Sequence, residues 1–323
     1  MMRRRDRLYI YIIGVILLSA CSKSEADRPD NTISFAPVAA KPTKTIISGT
    51  TYPTSESFVV SAFHNGTAAY FEDLTATYSN SNSLWATTEA QYWPLGGSLD
   101  FIAYSPASAG LTIDATDGVT ATDYTVQNTA QMTTDLCYAS ATVADCSNHP
   151  AAVPLTFSHA LSQIVFRVKA AAYYTTNTTT VTLSMTSLSL SGIYSVGDFA
   201  AGAWSNQSTA YTYTLSNSAT ELTYDNSHNP VASDVCSFLF LPQEISDDAR
   251  LNVGYNVVQN YSGNTYTLTN APVSIDLKRS ITQWEPGKKY IYTLSISMDN
   301  VITFTASAVG WQDENANIIV EEN

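Results

Sequence analysis

The sequence predicts an all-β protein folded as two β-sandwiches in series, and three observations carry that expectation. The 323 residues are 45% apolar and only 13% charged, enough to fold, and the rest is rich in Thr, Ser, Asn and Ala with 20 Tyr. That mixture suits half-exposed pleated strands better than helices. Apolar residues recur with period 2 in several stretches, whereas no run of about a dozen residues shows a capped 3.6-residue period. Clusters of Asn, Gly, Asp, Ser and Pro separate these runs, such as Ser262-Gly263-Asn264. The formal charge of -13 repels phosphate backbones, and no basic patch interleaved with aromatics offsets it, so nucleic acid is excluded as a partner.

Taken in order, the chain opens with Arg3, Arg4, Arg5 and Arg7, then an apolar run from Leu8 to Leu18, then Ser19, Ala20 and Cys21. Residues 1–20 read as a signal peptide, because an apolar run of about 11 residues is shorter than the roughly 20 that a helix needs to span a bilayer. Leu18-Ser19-Ala20-Cys21 resembles a bacterial lipobox, which makes Cys21 the lipidation site and the N-terminus of the mature chain. Residues 21–32 are polar, include Pro29 and cannot bury apolar area, so they are expected to act as a flexible tether. Folded structure is expected from Ile33, with a first sandwich over 33–150 and a second over 151–323.

Strands are expected at 58–63 and 99–104 in the first half. In the second, Ile164, Phe166 and Val168 alternate with Val165, Arg167 and Lys169. Val181, Leu183 and Met185 keep one parity and Leu188 and Leu190 the other, a slip that predicts a β-bulge. The continuous apolar run at 238–241 predicts a central strand covered on both faces. Further strands are expected at 211–215, 251–258, 266–268, 273–277 and 302–306. The clearest alternation sets Tyr290, Tyr292, Leu294, Ile296 and Met298 against Ile291, Thr293, Ser295 and Ser297. Turn chemistry between the runs predicts antiparallel connections, and parallel sheets are not expected.

The chemistry-bearing residues are few. Cys137 and Cys146 stand nine residues apart, a spacing that fits a hairpin disulfide if their Cα atoms lie within about 7 Å, and Cys236 is left over. None of the three lies in a C-x-x-C pair or near a His at ligand spacing, so no metal is expected. His64, His149, His159 and His228 belong to no HExxH, and neither a nucleophile elbow nor a P-loop occurs. Ser158 and His159 are neighbours whose side chains would leave a strand on opposite faces. The stretch 114–118 reads as a turn, lacking the spacing and terminal Glu of a calcium loop. No catalytic residue and no cofactor is assigned. Exposed aromatics at Trp85, Trp204, Tyr173 or Tyr174 would supply stacking platforms for sugar rings, giving a glycan-binding surface lipoprotein as the alternative function.

A set of ordered pieces carries a family likeness. Tyr92-Trp93-Pro94 precedes Leu99-Asp100-Phe101-Ile102-Ala103-Tyr104-Ser105-Pro106. Then come Leu155-Thr156-Phe157-Ser158-His159-Ala160-Leu161-Ser162-Gln163-Ile164, Ser191-Gly192-Ile193-Tyr194, Leu241-Pro242-Gln243, Trp284-Glu285-Pro286-Gly287-Lys288-Lys289-Tyr290 and Gly310-Trp311. Together with the lipobox, this order resembles the fimbrillin family of the Bacteroidales. The resemblance implies two tandem transthyretin-like β-sandwiches, export as a lipoprotein to the cell outer membrane, and a non-enzymatic role as a pilus stalk, tip, anchor or accessory adhesin. It implies other fimbrial subunits as partners, with host or bacterial surface ligands in addition. It also implies assembly by strand exchange once a trypsin-like protease removes an N-terminal strand, here 33–38.

Candidate processing residues are Arg28 and Lys44. Pro29 follows Arg28 and Pro42 follows Lys41, which leaves Lys44-Thr45 as the open basic bond, although the family's usual processing residue is Arg. This departure moves the expectation from a polymerising stalk toward an anchor, an accessory subunit or a non-polymerising surface protein. Ile318, Ile319 and Val320 are the candidate donor strand, either as plugs for a neighbour's groove or as the last strand of their own sandwich.

Overall fold

The computed structural model describes residues 31–39, 52–81, 83–298 and 301–310, and among these α1 (Thr129–Met132) is the one α-helix. The first strands are β1 (Phe35–Ala39), β2 (Phe58–His64), β3 (Ala68–Ser79), β4 (Leu84–Thr87) and β5 (Leu99–Ser105). A short hairpin follows, β6 (Thr112–Asp114) and β7 (Gly118–Thr125), then β8 (Cys137–Val143) and β9 (Val153–His159). Seven of these close on themselves in the order β1-β4-β3-β2-β5-β8-β9, so this barrel has no open edge. Alternation sets its lining: on β9, Val153, Leu155 and Phe157 are buried while Pro154 and Thr156 face out. The inward residues meet an aromatic cluster in which Phe58 packs against Phe35 at 5.7 Å and Phe157 at 5.4 Å, both edge to face.

The second group begins with β10 (Ser162–Ala170), β11 (Thr179–Ala200), β12 (Ala203–Ser216) and the short β13 (Thr220–Glu221), β14 (Thr223–Tyr224) and β15 (Pro230–Val231). It continues with β16 (Ser233–Phe240), β17 (Gln243–Glu244), β18 (Arg250–Tyr261), β19 (Asn264–Asp276), β20 (Gln283–Trp284), β21 (Lys288–Ile296) and β22 (Ile302–Gly310). One layer runs β16-β10-β21-β22, and the other runs β19-β18-β11-β7-β6, with β12 and β13 also paired to β11. The β6–β7 hairpin thus leaves the barrel's chain to extend the second group's sheet. Between the layers, Phe166, Tyr292 and Phe304 stack at 5.4 and 5.3 Å across three neighbouring strands. The fully buried Trp284 donates its indole N–H to the Tyr292 hydroxyl at 2.9 Å, which satisfies two polar atoms that burial would otherwise strand.

The all-β expectation holds, and several strands fall where alternation placed them. Tyr290, Tyr292, Leu294 and Ile296 are all buried on β21. The parity slip before Leu188 is a register shift against β18 between Met185 and Ser187. Residues 114–118 do form a turn, in which Asp114 Oδ1 accepts the N–H groups of Thr116 and Asp117 at 2.7 and 2.9 Å.

Three expectations are corrected. Residues 238–240 of the apolar run at 238–241 end β16, which is an edge strand of its sheet; α1 and β12 pack against it, so apolar cover comes from outside the ladder. Residues 266–268 and 273–277 belong to one strand, β19. Two parallel pairs also occur, β1 with β9 and β10 with β21. In each the intervening chain passes through other strands before returning, so a parallel neighbour arises without a helical crossover.

Phe58→Ala should cost about 3–5 kcal/mol in urea unfolding, because its ring is fully buried amid aromatic neighbours. Tyr266→Ala, at a residue 58% exposed, should stay within about 0.5 kcal/mol of the parent. Equal costs at the two positions would contradict this core.

Candidate functional site

The expected first strand, 33–38, corresponds to β1 and its approach. Five residues of β1, Phe35 to Ala39, pair in parallel with Val153 to Phe157 of β9, whereas on the other side Phe35 alone pairs with Trp85 of β4. Ahead of the strand, the Ile33 N–H donates to Gln91 O at 2.7 Å and Thr32 bridges to Tyr92. Ile33 and Phe35 point into the barrel core at 2% and 1% exposure, while Ala36 and Val38 face outward. The period-2 pattern of Ile33, Phe35 and Pro37 therefore seats a short segment by two deep side chains and one parallel ladder.

A second constellation lies where β8 meets β9. Cys137, the first residue of β8, stands directly opposite His159, the last of β9, and Asp135 comes just ahead of β8. All three are buried. Both carboxylate oxygens of Asp135 lie 3.0 Å from His159 Nδ1, and Cys137 Sγ lies 3.5 Å from that same nitrogen. Burial, then the charge of Asp135 and its hydrogen bond, push the Cys137 thiol well above its ordinary pKa, so it is held neutral. The arrangement is not that of a nucleophile and its base. A triad histidine engages nucleophile and carboxylate through different ring nitrogens, and here one nitrogen faces both.

The sequence reading placed no His near a cysteine, and the structure corrects this. Cys137 and His159 are far apart along the chain and adjacent only through the β8–β9 register, so no local spacing could reveal them. The disulfide that the Cys137–Cys146 spacing allowed, on condition of a short Cα separation, is not formed in the structure, where both are buried free thiols. Cys146 follows β8 at its other end, where its N–H donates to Gly97 O at 2.8 Å. An extended strand of this length separates its ends by roughly 20 Å, too far for a bridge. Burial also pushes the Cys236 thiol up to about 12.

The aromatics considered for sugar stacking are largely engaged inside the protein. Trp85 is 5% exposed and packs against Tyr52 and Tyr78. Trp204 is half-buried with its indole N–H donated to Ala160 O at 2.6 Å. Tyr173 is the exposed one, stacked on His228 at 4.2 Å. A cleft of about 470 Å³ is lined by Tyr194, Trp204, Gln207, Gln243, Glu244 and Gln283. Two of its amides are tied to backbone: Gln207 donates to Pro242 O at 2.6 Å, and Gln243 accepts from the Tyr194 N–H and donates to its carbonyl.

The signal peptide, the lipidation residue Cys21, the processing candidates Arg28 and Lys44, and the donor candidates Ile318, Ile319 and Val320 lie outside the described residues. Among the described residues no helix is long and apolar enough to cross a membrane.

The barrel with its β1 seam, followed by a two-layered β unit, defines an all-β protein built from strand ladders, and sequence comparison supplies the family. The model of fimbrillin-like proteins matches residues 44–311, so this chain belongs to the fimbrillin-like family, and that membership supports a role as a fimbrial subunit or adhesin. A candidate cell adhesion protein from Bacteroides ovatus shares the fold at a TM-score of 0.51 and 15% identity, over 88% of this chain and 99% of that one. Another from Bacteroides uniformis gives 0.49 at 17% identity, over 87% and 98%. The fimbrial anchor protein Mfa2 from Porphyromonas gingivalis gives 0.34 at 13% identity, over 86% and 98%. The search of curated proteins finds no match.

Peptide mapping without reduction should find no Cys137–Cys146 crosslink. Iodoacetamide at pH 8 should leave Cys137 unmodified in the folded protein and alkylate it fully once unfolded. A disulfide-linked peptide pair, or rapid native labelling of Cys137, would contradict the site described.

Proposed function

We propose that the mature chain is a non-enzymatic fimbrial subunit or accessory adhesin, delivered to the outer membrane by lipid on Cys21, that joins its partners by strand exchange at the β1 seam once the segment bearing that lipid has been cut away. The observation that carries this reading is the seating of Ile33 and Phe35. They fill the barrel core, and beyond the five-residue parallel ladder the segment is held by a single pair to β4 and by the contacts of Thr32, Ile33 and Ser34 just ahead of it. Cleavage after Lys44 would sever this segment from the rest of the barrel. Its departure would open a groove lined by Phe58, Phe101 and Trp85, with the unpaired edge of β9 along one side.

A strand from a neighbouring subunit could then restore both hydrogen bonds and apolar plugs, and the sequence 318–320 offers Ile, Ile and Val for that purpose. In this reading the barrel, ending with β9, is the exchange unit, and the strands from β10 onward form a second domain. A glycan-binding reading has less to stand on, because Trp85 and Trp204 are held by internal contacts.

The test is a mature chain lacking 33–44, compared with the intact chain by electron microscopy and analytical ultracentrifugation. The truncated chain should self-associate and should bind a synthetic peptide of residues 311–323, while the intact chain does neither. A truncated chain that keeps its β circular dichroism but neither self-associates nor takes the peptide would overturn strand exchange.

A further inference from the structure

We propose that Asp135, Cys137 and His159 form a buried binding site for a divalent transition metal of the zinc class. The three side chains offer a carboxylate oxygen, a sulfur and an imidazole nitrogen whose atoms all lie within 4.8 Å of one another. A tetrahedral sphere with bonds of about 2.0–2.3 Å places neighbouring donors roughly 3.3–3.8 Å apart. The observed separations of 3.0 Å from nitrogen to carboxylate and 3.5 Å from nitrogen to sulfur need only a slight opening to admit the ion. The mixed donor set selects a borderline-soft cation over calcium or magnesium, which take oxygen ligands.

The frame is rigid where it must be. Cys137 and His159 are fixed as cross-strand partners, and the pairing continues into an Ala160 N–H to Leu136 O bond of 2.7 Å. Leu136 belongs to the core of the second group and Cys137 to that of the barrel, so an ion held here would tie the chain at the meeting of the two cores.

Charge supplies the second argument. When a dication enters, the Cys137 S–H bond breaks, its proton leaves to solvent and the sulfur pair forms the metal–sulfur bond. The His159 ring proton moves to Nε2, freeing the Nδ1 pair, and Asp135 donates a carboxylate pair. Two anionic ligands then cancel the cation's charge, and a neutral cluster is the state that a buried site tolerates best. A fourth donor, water or a carbonyl, completes the sphere.

The mature chain folded in excess zinc and then desalted should carry close to one zinc by plasma mass spectrometry, with about a tenfold loss in Cys137→Ser. Cys236→Ser should retain the full complement. Cobalt substitution should give a thiolate-to-cobalt charge-transfer band in the parent and in Cys236→Ser. That band should be absent from Cys137→Ser, and His159→Gln should weaken it if Cys137→Ser fails to fold. Less than about a tenth of an equivalent of zinc in the folded parent would overturn the proposal, as would undiminished zinc in both Cys137→Ser and His159→Gln.

Discussion

The barrel depends on the pairing of β1 with β9. Every other neighbour in the closed path is joined antiparallel, and β1 enters as the one strand laid parallel on its partner. Its inward face carries Phe35, whose ring meets Phe58 at 5.7 Å and Phe101 at 5.8 Å, so the last strand to close the wall also completes the aromatic core. A closed barrel has no edge to offer another chain, and this protects a monomer from unwanted pairing. The same closure rests on one short strand, so opening and protection are governed by the same few residues.

The second group of strands is organised differently. Its two layers face each other across rings and branched side chains, with Trp284 and Tyr292 hydrogen-bonded inside. The β6–β7 hairpin lends two strands to one of these layers, and the Asp123 N–H donates to Asp198 Oδ1 at 2.8 Å. Because a piece of chain that precedes β8 and β9 serves the second sheet, the two cores are tied by more than the passage from β9 into β10. Asp135, Cys137 and His159 sit at that meeting, where burial makes ionisable groups costly unless they satisfy one another or a cation.

Much of the fold was legible in the sequence because half-buried strands repeat with period 2. β21 shows this plainly, its buried tyrosines and aliphatics interleaved with Thr and Ser, and the bulge on β11 showed as a slip of parity between Met185 and Leu188. β3 escaped notice because its twelve residues bury only Phe71 and Ala76, leaving no pattern to read. The run at 238–241 was misread as central, since apolar cover from α1 and β12 looks the same in sequence as cover from neighbouring strands. Register between distant strands leaves no local trace at all. That is why β1 beside β9, and Cys137 opposite His159, emerged only from the folded chain.

Amide hydrogen exchange followed by mass spectrometry tests the β1 seam most directly. The amides of Phe35, Ala36 and Val38, which face β4 or β9 across paired residues, should exchange in the intact protein about as slowly as those of β2 and β5, which flank the same core. Exchange in β1 at the rate of an unstructured peptide, with β2 and β5 still protected, would show that the barrel does not depend on this strand and would contradict the account.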